Sequence, residues 1–243
     1  MLKLFQKELS SFFTTLTGYV VVIIFLLINS LFMWVFPGNI NVLDSGYANI
    51  NALFVMAPWV FLFLVPAVTM RMFSEERKTG TLDLLFTRPI SDLQIVVAKF
   101  FAGVSIVLIA LIPTLIYYFT VWFLGDPVGN IDVGGTWGSY LGLVFLAAIY
   151  VAIGLFASSL TGNQIVAFLV AVSISFVFYV GFNSLADINP VSGLSFYIAN
   201  LGIDKHYSSV SRGVIDSRDL VYFIAVITVF LLTTRTVLQS RKW

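Results

Sequence analysis

The side chains able to do nucleophilic, acid–base or metal chemistry are few in this sequence. Its 243 residues include one histidine, His206, and no cysteine. A thiolate metal site and a cysteine nucleophile are therefore excluded. The sequence also lacks a G-x-x-x-x-G-K-[ST] phosphate-binding loop. We expect a chain that is not an enzyme, needs no cofactor or metal, and hydrolyses no ATP itself, with His206 as a solvated loop side chain.

Charged side chains are concentrated between residues 71 and 92, which read RMFSEERKTGTLDLLFTRPISD. Ser74 is a residue type that caps helix N-termini, and Glu75 and Glu76 follow it directly. Carboxylates are favoured at that end of a helix because the helix dipole is positive there. The pattern predicts a short, charged helix that begins near Ser74.

The same segment continues with an apolar stripe at helical spacing, formed by Leu82, Leu85 and Phe86. Ser91 and Gln94 then have the capping-box spacing with which a new helix begins. Two interpretations of the whole segment stay open on these residues. It is either a solvated hairpin that only fixes topology, or a surface on which a cytoplasmic protein docks.

The stretches on both sides of this segment are apolar enough to cross a membrane. Hydrophobic residues make up 59% of the chain and charged residues 10%, whereas soluble domains carry about 25% charged residues. About 20 apolar residues span a bilayer as a helix. Six stretches qualify, at about 19–36, 52–70, 93–124, 139–160, 164–185 and 220–238. The sequence thus predicts one all-α, polytopic membrane domain over residues 1–243.

The central parts of these six spans contain no Asp, Glu, Lys, Arg or His. Intramembrane charges usually mark ion pathways or proton relays, so we expect neither a proton-coupled pump nor a charge-lined channel. Basic residues favour the cytoplasmic side. Of the 13 Lys and Arg, only Lys205, Arg212 and Arg218 lie on the side opposite residues 71–92. Both termini are therefore expected in the cytoplasm, and a net charge of +1 gives no indication of nucleic acid binding.

Two further segments are predicted to lie at the membrane surface. Residues 1–17 carry apolar side chains at helical spacing, opposite a polar face that includes Lys3 and Lys7, which is typical of an interfacial helix. Residues 186–218 form a long outer loop, and loops of that length without structure are uncommon. We expect a short re-entrant or interfacial helix within it.

The charged segment resembles the signature of ABC-2 type permeases. Members of that family carry E-E-x-x-x-G-T-[LM]-[DE]-x-L between the second and third spans, then P-[IVL]-S, then G-K or A-K. This chain has EERKTGTLDLL from Glu75, followed by Pro89-Ile90-Ser91 and by Ala98-Lys99. The interfacial helix, six spans and long outer loop also agree, so the resemblance covers the whole chain. Within the family, it is similar to the branch associated with gliding motility.

The resemblance implies a transmembrane subunit that works with other chains. Two permease subunits, identical or related, would pair with two cytoplasmic ABC ATPase subunits at the bacterial inner membrane. The loop helix after the second span would be the coupling helix, which fits a cleft on the ATPase. By that resemblance, the residues at or beside the ATPase contact are Glu75, Glu76, Gly80, Thr81, Leu82, Asp83 and Leu85.

The substrate path of such a complex would lie between two permease subunits, along the second and fifth spans. Aromatic side chains there would suit a lipid-like or amphipathic substrate, or else they simply face lipid. Two alternatives to an exporter stay open: a non-transporting scaffold or mechanotransmission subunit, and an autonomous channel or facilitator. Gly138 and Gly142 have GxxxG spacing, which predicts close helix packing within one subunit or between two.

Overall fold

The computed structural model describes residues 1–82, 90–188, 193–213 and 216–240, and within these ranges the chain forms helices and no β-strand. We number the α-helices in chain order. They are α1 (Leu2–Phe13), α2 (Leu16–Ser30, extended by a π-helical turn over Leu31–Val35), α3 (Val42–Ser45), α4 (Asn51–Thr69), α5 (Arg71–Lys78), α6 (Asp92–Leu111), α7 (Leu115–Leu124), α8 (Val133–Leu160), α9 (Gln164–Phe176), α10 (Phe182–Ile188), α11 (Gly193–Ala199), α12 (Ile203–Ser211) and α13 (Ser217–Gln239).

Six helical stretches in the described residues are long and apolar enough to cross a membrane. They are Leu16–Val35, Asn51–Lys78, Asp92–Leu124, Val133–Leu160, Gln164–Ile188 and Ser217–Gln239. The fourth begins at Val133 rather than near residue 139, because the Asp132 carboxylate caps it and accepts a hydrogen bond from the Gly135 N–H at 2.9 Å. The predicted all-α, polytopic fold class is therefore confirmed.

The fourth span, α8, is the centre of the bundle. In its most apolar stretch 78% of the residues are buried, against 61% in the second and third spans and 22% or less in the first, fifth and sixth. Small residues on α8 let neighbouring helices approach closely. A Cβ on Gly154 would overlap the side chain of Thr69 in α4. Spans two to four thus form the core, and the remaining spans present apolar faces outward.

The GxxxG pair of α8 packs within the subunit. A Cβ on Gly138 would come to 2.8 Å from the Cα of Gly213, and Gly142 faces the ring of Tyr207. The pair therefore seats α12, part of the predicted outer loop, against the fourth span. We call this end of the bundle, formed by residues 36–50, 125–132 and α12, the far end. The opposite end, formed by α1, α5 and the start of α6, is the charged end.

A proline in the second span explains a bond that holds α12 in place. Pro58 has no N–H, so the carbonyl of Phe54 four residues earlier loses its helical donor. The hydroxyl of Tyr207 donates to that carbonyl oxygen at 2.8 Å. Burial raises the pKa of Tyr207 well above its usual range, so the hydroxyl keeps its proton. Irregular backbone within a membrane protein needs such a partner.

The ring of His206 is enclosed at the far end, so its expected solvated position is wrong. Its side chain is 12% exposed. Nδ1 lies 2.6 Å from the Asp219 carboxylate, and Nε2 lies 2.9 Å from the Asn200 carbonyl oxygen. The ring also stacks on Tyr222, with 3.9 Å between ring centroids. His206 therefore attaches α12 to the sixth span.

The Tyr207 hydroxyl should contribute measurably to stability. Tyr207→Phe leaves the Phe54 carbonyl without a donor at a buried position, which we expect to cost about 1–3 kcal/mol. The measurement is thermal unfolding of the purified protein in detergent. Tyr197→Phe is the matched control, because Tyr197 is 69% exposed. Equal melting temperatures for the two variants would contradict this role of the hydroxyl.

Candidate functional site at the charged end

The charged helix α5 is nearly continuous with the second span. It begins at Arg71, and only Met70 separates it from α4. Ser74 therefore lies inside the helix, where its hydroxyl donates to the Met70 carbonyl oxygen. The predicted N-cap role of Ser74 is wrong. Glu75 and Glu76 consequently occupy the second turn of α5 rather than its N-terminus.

The break at Met70 is occupied by a side chain of the fourth span. The N–H groups of Phe73 and Ser74 each donate to the Oγ of Ser158 at 3.0 Å. The Ser158 hydroxyl in turn donates to the Met70 carbonyl oxygen at 2.8 Å. Insertion of a side chain into the backbone hydrogen-bond ladder is a known cause of helix kinks. The fourth span therefore sets the angle between α4 and α5.

Arg77 makes a second attachment between α5 and the fourth span. Its guanidinium donates to the carbonyl oxygen of Leu160 and, at 3.4 Å, to that of Ser159. These carbonyls lie in the last turn of α8, where no helical N–H follows to satisfy them. A cation is also favoured there by the helix dipole. Hence α5 is held against the fourth span near both of its ends.

A buried lysine of the third span joins α5 to α1 and α6. Lys99 has no exposed surface and lies about two turns into α6. Its ammonium donates to Glu8 Oε1 at 2.9 Å and to the Met72 carbonyl oxygen at 2.6 Å. It forms an ion pair with Glu76, whose Oε2 is 3.0 Å away. The ring of Phe73 lies 5.0 Å from the same ammonium.

The charges of this ion cluster, formed by Lys7, Glu8, Glu76 and Lys99, are balanced. Lys7 Nζ lies 3.2 Å from Glu76 Oε1 and 3.8 Å from Glu8 Oε1. Two cations therefore face two carboxylates. Removing an unpaired ion from water costs several kcal/mol, and pairing offsets that cost. The cluster is stable only while α1, α5 and α6 stay together.

The residues predicted to contact an ATPase divide into two groups within the described part of the chain. Three are exposed at the charged end: Glu75, Gly80 and Thr81. Two are buried: Glu76 and Leu82. The other two, Asp83 and Leu85, lie outside the described residues, as does Phe86 of the predicted stripe. The carboxylate of Glu76 thus faces the ion cluster rather than a partner protein.

Local sequence rules explain both ends of the charged segment. Gly80 follows α5 with φ of +70°, a left-handed conformation that costs other residues about 1–2 kcal/mol. Ser91 accepts a hydrogen bond from the Gln94 N–H, and the Gln94 side chain accepts one from the Ser91 N–H. The predicted capping box at the start of the third span is therefore confirmed.

A cavity of about 240 Å³ lies between α1 and α5 at the charged end. Glu8 and Glu76 of the ion cluster form part of its wall. Its other polar lining residues are Lys7, Ser11, Arg71, Glu75, Thr79 and Thr81. The cavity could accept a polar side chain of another protein directly beside the ion cluster.

Sequence reasoning did not identify Lys99, Glu8, Ser158 or Arg77 as parts of this site. The A-K pair of the family signature is the available signal for Lys99, but the pair gives no indication that the ammonium is buried. The partners of Lys99 lie 91 and 23 residues away, at Glu8 and Glu76. No local pattern indicates pairs at such separations.

The ion cluster should respond differently to single and combined neutralisation. Lys99→Met leaves the buried Glu76 and the largely buried Glu8 with only Lys7, which we expect to cost about 3–5 kcal/mol. Adding Glu8→Gln and Glu76→Gln should restore most of the loss, because no unpaired buried charge remains. Thermal unfolding in detergent measures both. Lys78→Met, at an exposed position of α5, is the control with a change within about 0.5 kcal/mol. An unchanged melting temperature for Lys99→Met would refute the pairing.

Comparison with known proteins identifies the family of the chain. The family model described as ABC-2 family transporter protein matches residues 2–239. The match therefore includes α1, all six spans and the charged segment. No curated protein matches the chain. This chain belongs to the ABC-2 family of transporter proteins.

Proposed function

We propose that this chain is the permease subunit of an ABC transporter, driven by a separate cytoplasmic ATPase through residues 71–92. The ion cluster at Lys99 is the observation that carries the proposal. It joins α5 to α1 and to the third span through contacts of 2.9–3.2 Å. A helix that only fixed topology would need no such attachment to the transmembrane core.

The contacts of α5 supply a route by which a push on this helix reaches the membrane core. Met70 connects it directly to the second span, and Lys99 connects it to the third. Ser158 and Arg77 connect it to the fourth. Closely packed elements move as units rather than deforming gradually. A displacement of α5 is therefore passed to all three central spans at once.

The surface that meets the ATPase is, in this proposal, the exposed side of α5 and the turn after it. Glu75, Gly80 and Thr81 supply the described part of that surface. Asp83 and Leu85 complete it by the family signature. Glu76 and Leu82 support it from inside, because both are buried. The family signature in this view combines contact residues with residues that hold the helix in position.

The complex we propose contains two permease subunits, identical or related, and two ATPase subunits in the bacterial inner membrane, with both permease termini in the cytoplasm. The substrate path runs between the permeases along the second and fifth spans. The process served is gliding motility or secretion, on the resemblance of the signature to permeases of the gliding-motility ABC transporters of Bacteroidetes. ATPase stimulation by candidate substrates in proteoliposomes would separate transport from mechanotransmission.

A charge reversal on the exposed side of α5 should weaken ATPase capture. Glu75→Lys leaves the ion cluster intact and is expected to lower the amount of ABC ATPase that co-purifies with the tagged chain by about tenfold. Mass spectrometry identifies the ATPase, and ATP hydrolysis quantifies it. Glu76→Lys is unsuitable for this purpose, since the carboxylate pairs with Lys99.

The control for this experiment is Asp126→Lys, which reverses an exposed charge at the far end. Full capture by Glu75→Lys would exclude the exposed side of α5 as the contact surface. If the unaltered chain captured no ABC ATPase under mild detergent, the transporter proposal itself would be wrong.

The proposed orientation can be tested with single cysteines, because the natural sequence contains none. Lys3→Cys places a thiol at the charged end and Asn130→Cys places one at the far end, both at exposed positions. In intact cells a membrane-impermeant maleimide should label only Asn130→Cys. After the cells are opened, both should react. Labelling of Lys3→Cys in intact cells would reverse the orientation.

A further inference from the structure

A polar cavity of about 630 Å³ lies at the far end of the bundle. The second span supplies Trp59 and the fifth supplies Tyr179 and Asn183, while α12 supplies Asp204. Tyr179 belongs to a π-helical turn, Val177–Gly181, which interrupts the fifth span beside the cavity. Such turns are frequent at functional sites. The far end therefore contains a recess that is lined by several elements.

A second, apolar groove of about 500 Å³ runs along the outside of the second span. The first span contributes Ile24 and Phe32 and the fifth contributes Phe168. Its lining on the second span extends from Met56 to Ala67, which corresponds to about 16 Å of helix. One leaflet of a bilayer has a hydrocarbon depth of about 15 Å. The groove thus has the length of a lipid chain within one leaflet.

The polar cavity and the apolar groove share one side chain, Trp59. Its indole packs edge-on against Tyr179, with 5.7 Å between ring centroids. The lining is mostly polar on the side of Trp59 that faces the far end of the bundle. It is apolar on the side that faces the charged end. The two recesses together have the polarity of a single amphipathic molecule that stands parallel to the spans, with its head at the far end.

The ionisable side chains of the polar cavity carry both signs of charge. Asp187 and Asp204 are acidic, and Arg212 is basic. Carboxylates in a cavity that is also lined by the aromatic rings of Trp59 and Tyr179 suit an ammonium group. A guanidinium suits a phosphate. A headgroup that combines a phosphate with an ammonium matches this set better than a headgroup with negative charge alone.

We propose that the cavity and the groove together bind a zwitterionic aminophospholipid, of the phosphoethanolamine class, with its headgroup at Asp204 and Arg212 and an acyl chain along the second span. The role of the lipid as a substrate rests on the proposed function, because it names the substrate class for the path along spans two and five. Binding itself is a property of the permease chain alone.

The environment of Asp204 supports this assignment. Burial raises the pKa of Asp204, and hydrogen bonds with Tyr179 and Asn183 oppose that shift. The Asn183 amide donates to Asp204 Oδ2 at 2.9 Å. The ionised carboxylate is therefore under-compensated and would gain a favourable partner in a lipid ammonium. Because its folded-state pKa is raised, the carboxylate destabilises the fold at neutral pH, so Asp204→Asn should fold at least as stably as the natural protein.

The test measures lipid binding to the delipidated full chain in detergent by native mass spectrometry. Phosphatidylethanolamine and phosphatidylglycerol with the same acyl chains are compared. We expect about tenfold preference for phosphatidylethanolamine, because a charge-assisted hydrogen bond to the ammonium is available only there. Asp204→Asn should remove this preference without lowering the melting temperature. Arg212→Gln should weaken both lipids, because both carry a phosphate.

Matched controls are Asp126→Asn and Arg218→Gln, at exposed far-end positions that do not line the cavity. Both should bind as the natural protein does. Ala67→Trp fills the apolar groove and should reduce binding of both lipids.

Equal affinity for the two lipids, or a preference that survives Asp204→Asn, would overturn the proposal. An Ala67→Trp protein that no longer self-associates but still binds lipid would also overturn the proposal. That result would mean that a second copy of the chain, and not lipid, covers the groove. ATPase capture by the Asp204→Asn protein is measured in parallel and should stay at the natural level, which separates this inference from the proposed function.

Discussion

The burial of one ammonium group constrains the whole charged end of this protein. Lys99 has no access to water, so its charge must be met by oxygen atoms within the fold. The oxygen atoms that pair with it come from other elements. Glu8 must therefore come from α1 and Glu76 from α5, and the Met72 carbonyl adds a third oxygen. The positions of the N-terminal helix and of the charged helix both follow from this requirement.

Buried backbone groups in the second span also need hydrogen-bond partners, although no charge is involved there. At two interruptions of its backbone ladder, a hydroxyl from another element replaces the missing partner. Tyr207 does so at the far end, where Pro58 lacks an N–H, and Ser158 does so at the break after Met70. Because each hydroxyl comes from a separate part of the chain, the bends of the second span are fixed by tertiary contacts.

The sequence predicted what depends on composition and local spacing. Six apolar stretches identified the spans, and the Ser91–Gln94 capping box lies where it was expected. The predicted N-cap role of Ser74 is wrong because α5 begins three residues earlier, directly after the second span. Ser74 therefore lies inside a helix. The enclosure of His206 and the pairing of Lys99 depend on contacts between distant segments. The spans and the start of the third span were therefore predictable, but the buried network around Lys99 was not.

The position of Lys99 along the chain also has a consequence for biosynthesis. Domains are made from the N-terminus onward. Lys7, Glu8 and Glu76 all leave the ribosome before Lys99 does. Both carboxylates are thus available at the membrane surface when the third span is inserted, and the ammonium never has to enter an apolar environment alone. Insertion of that span and closure of the charged end can then occur as a single assembly event.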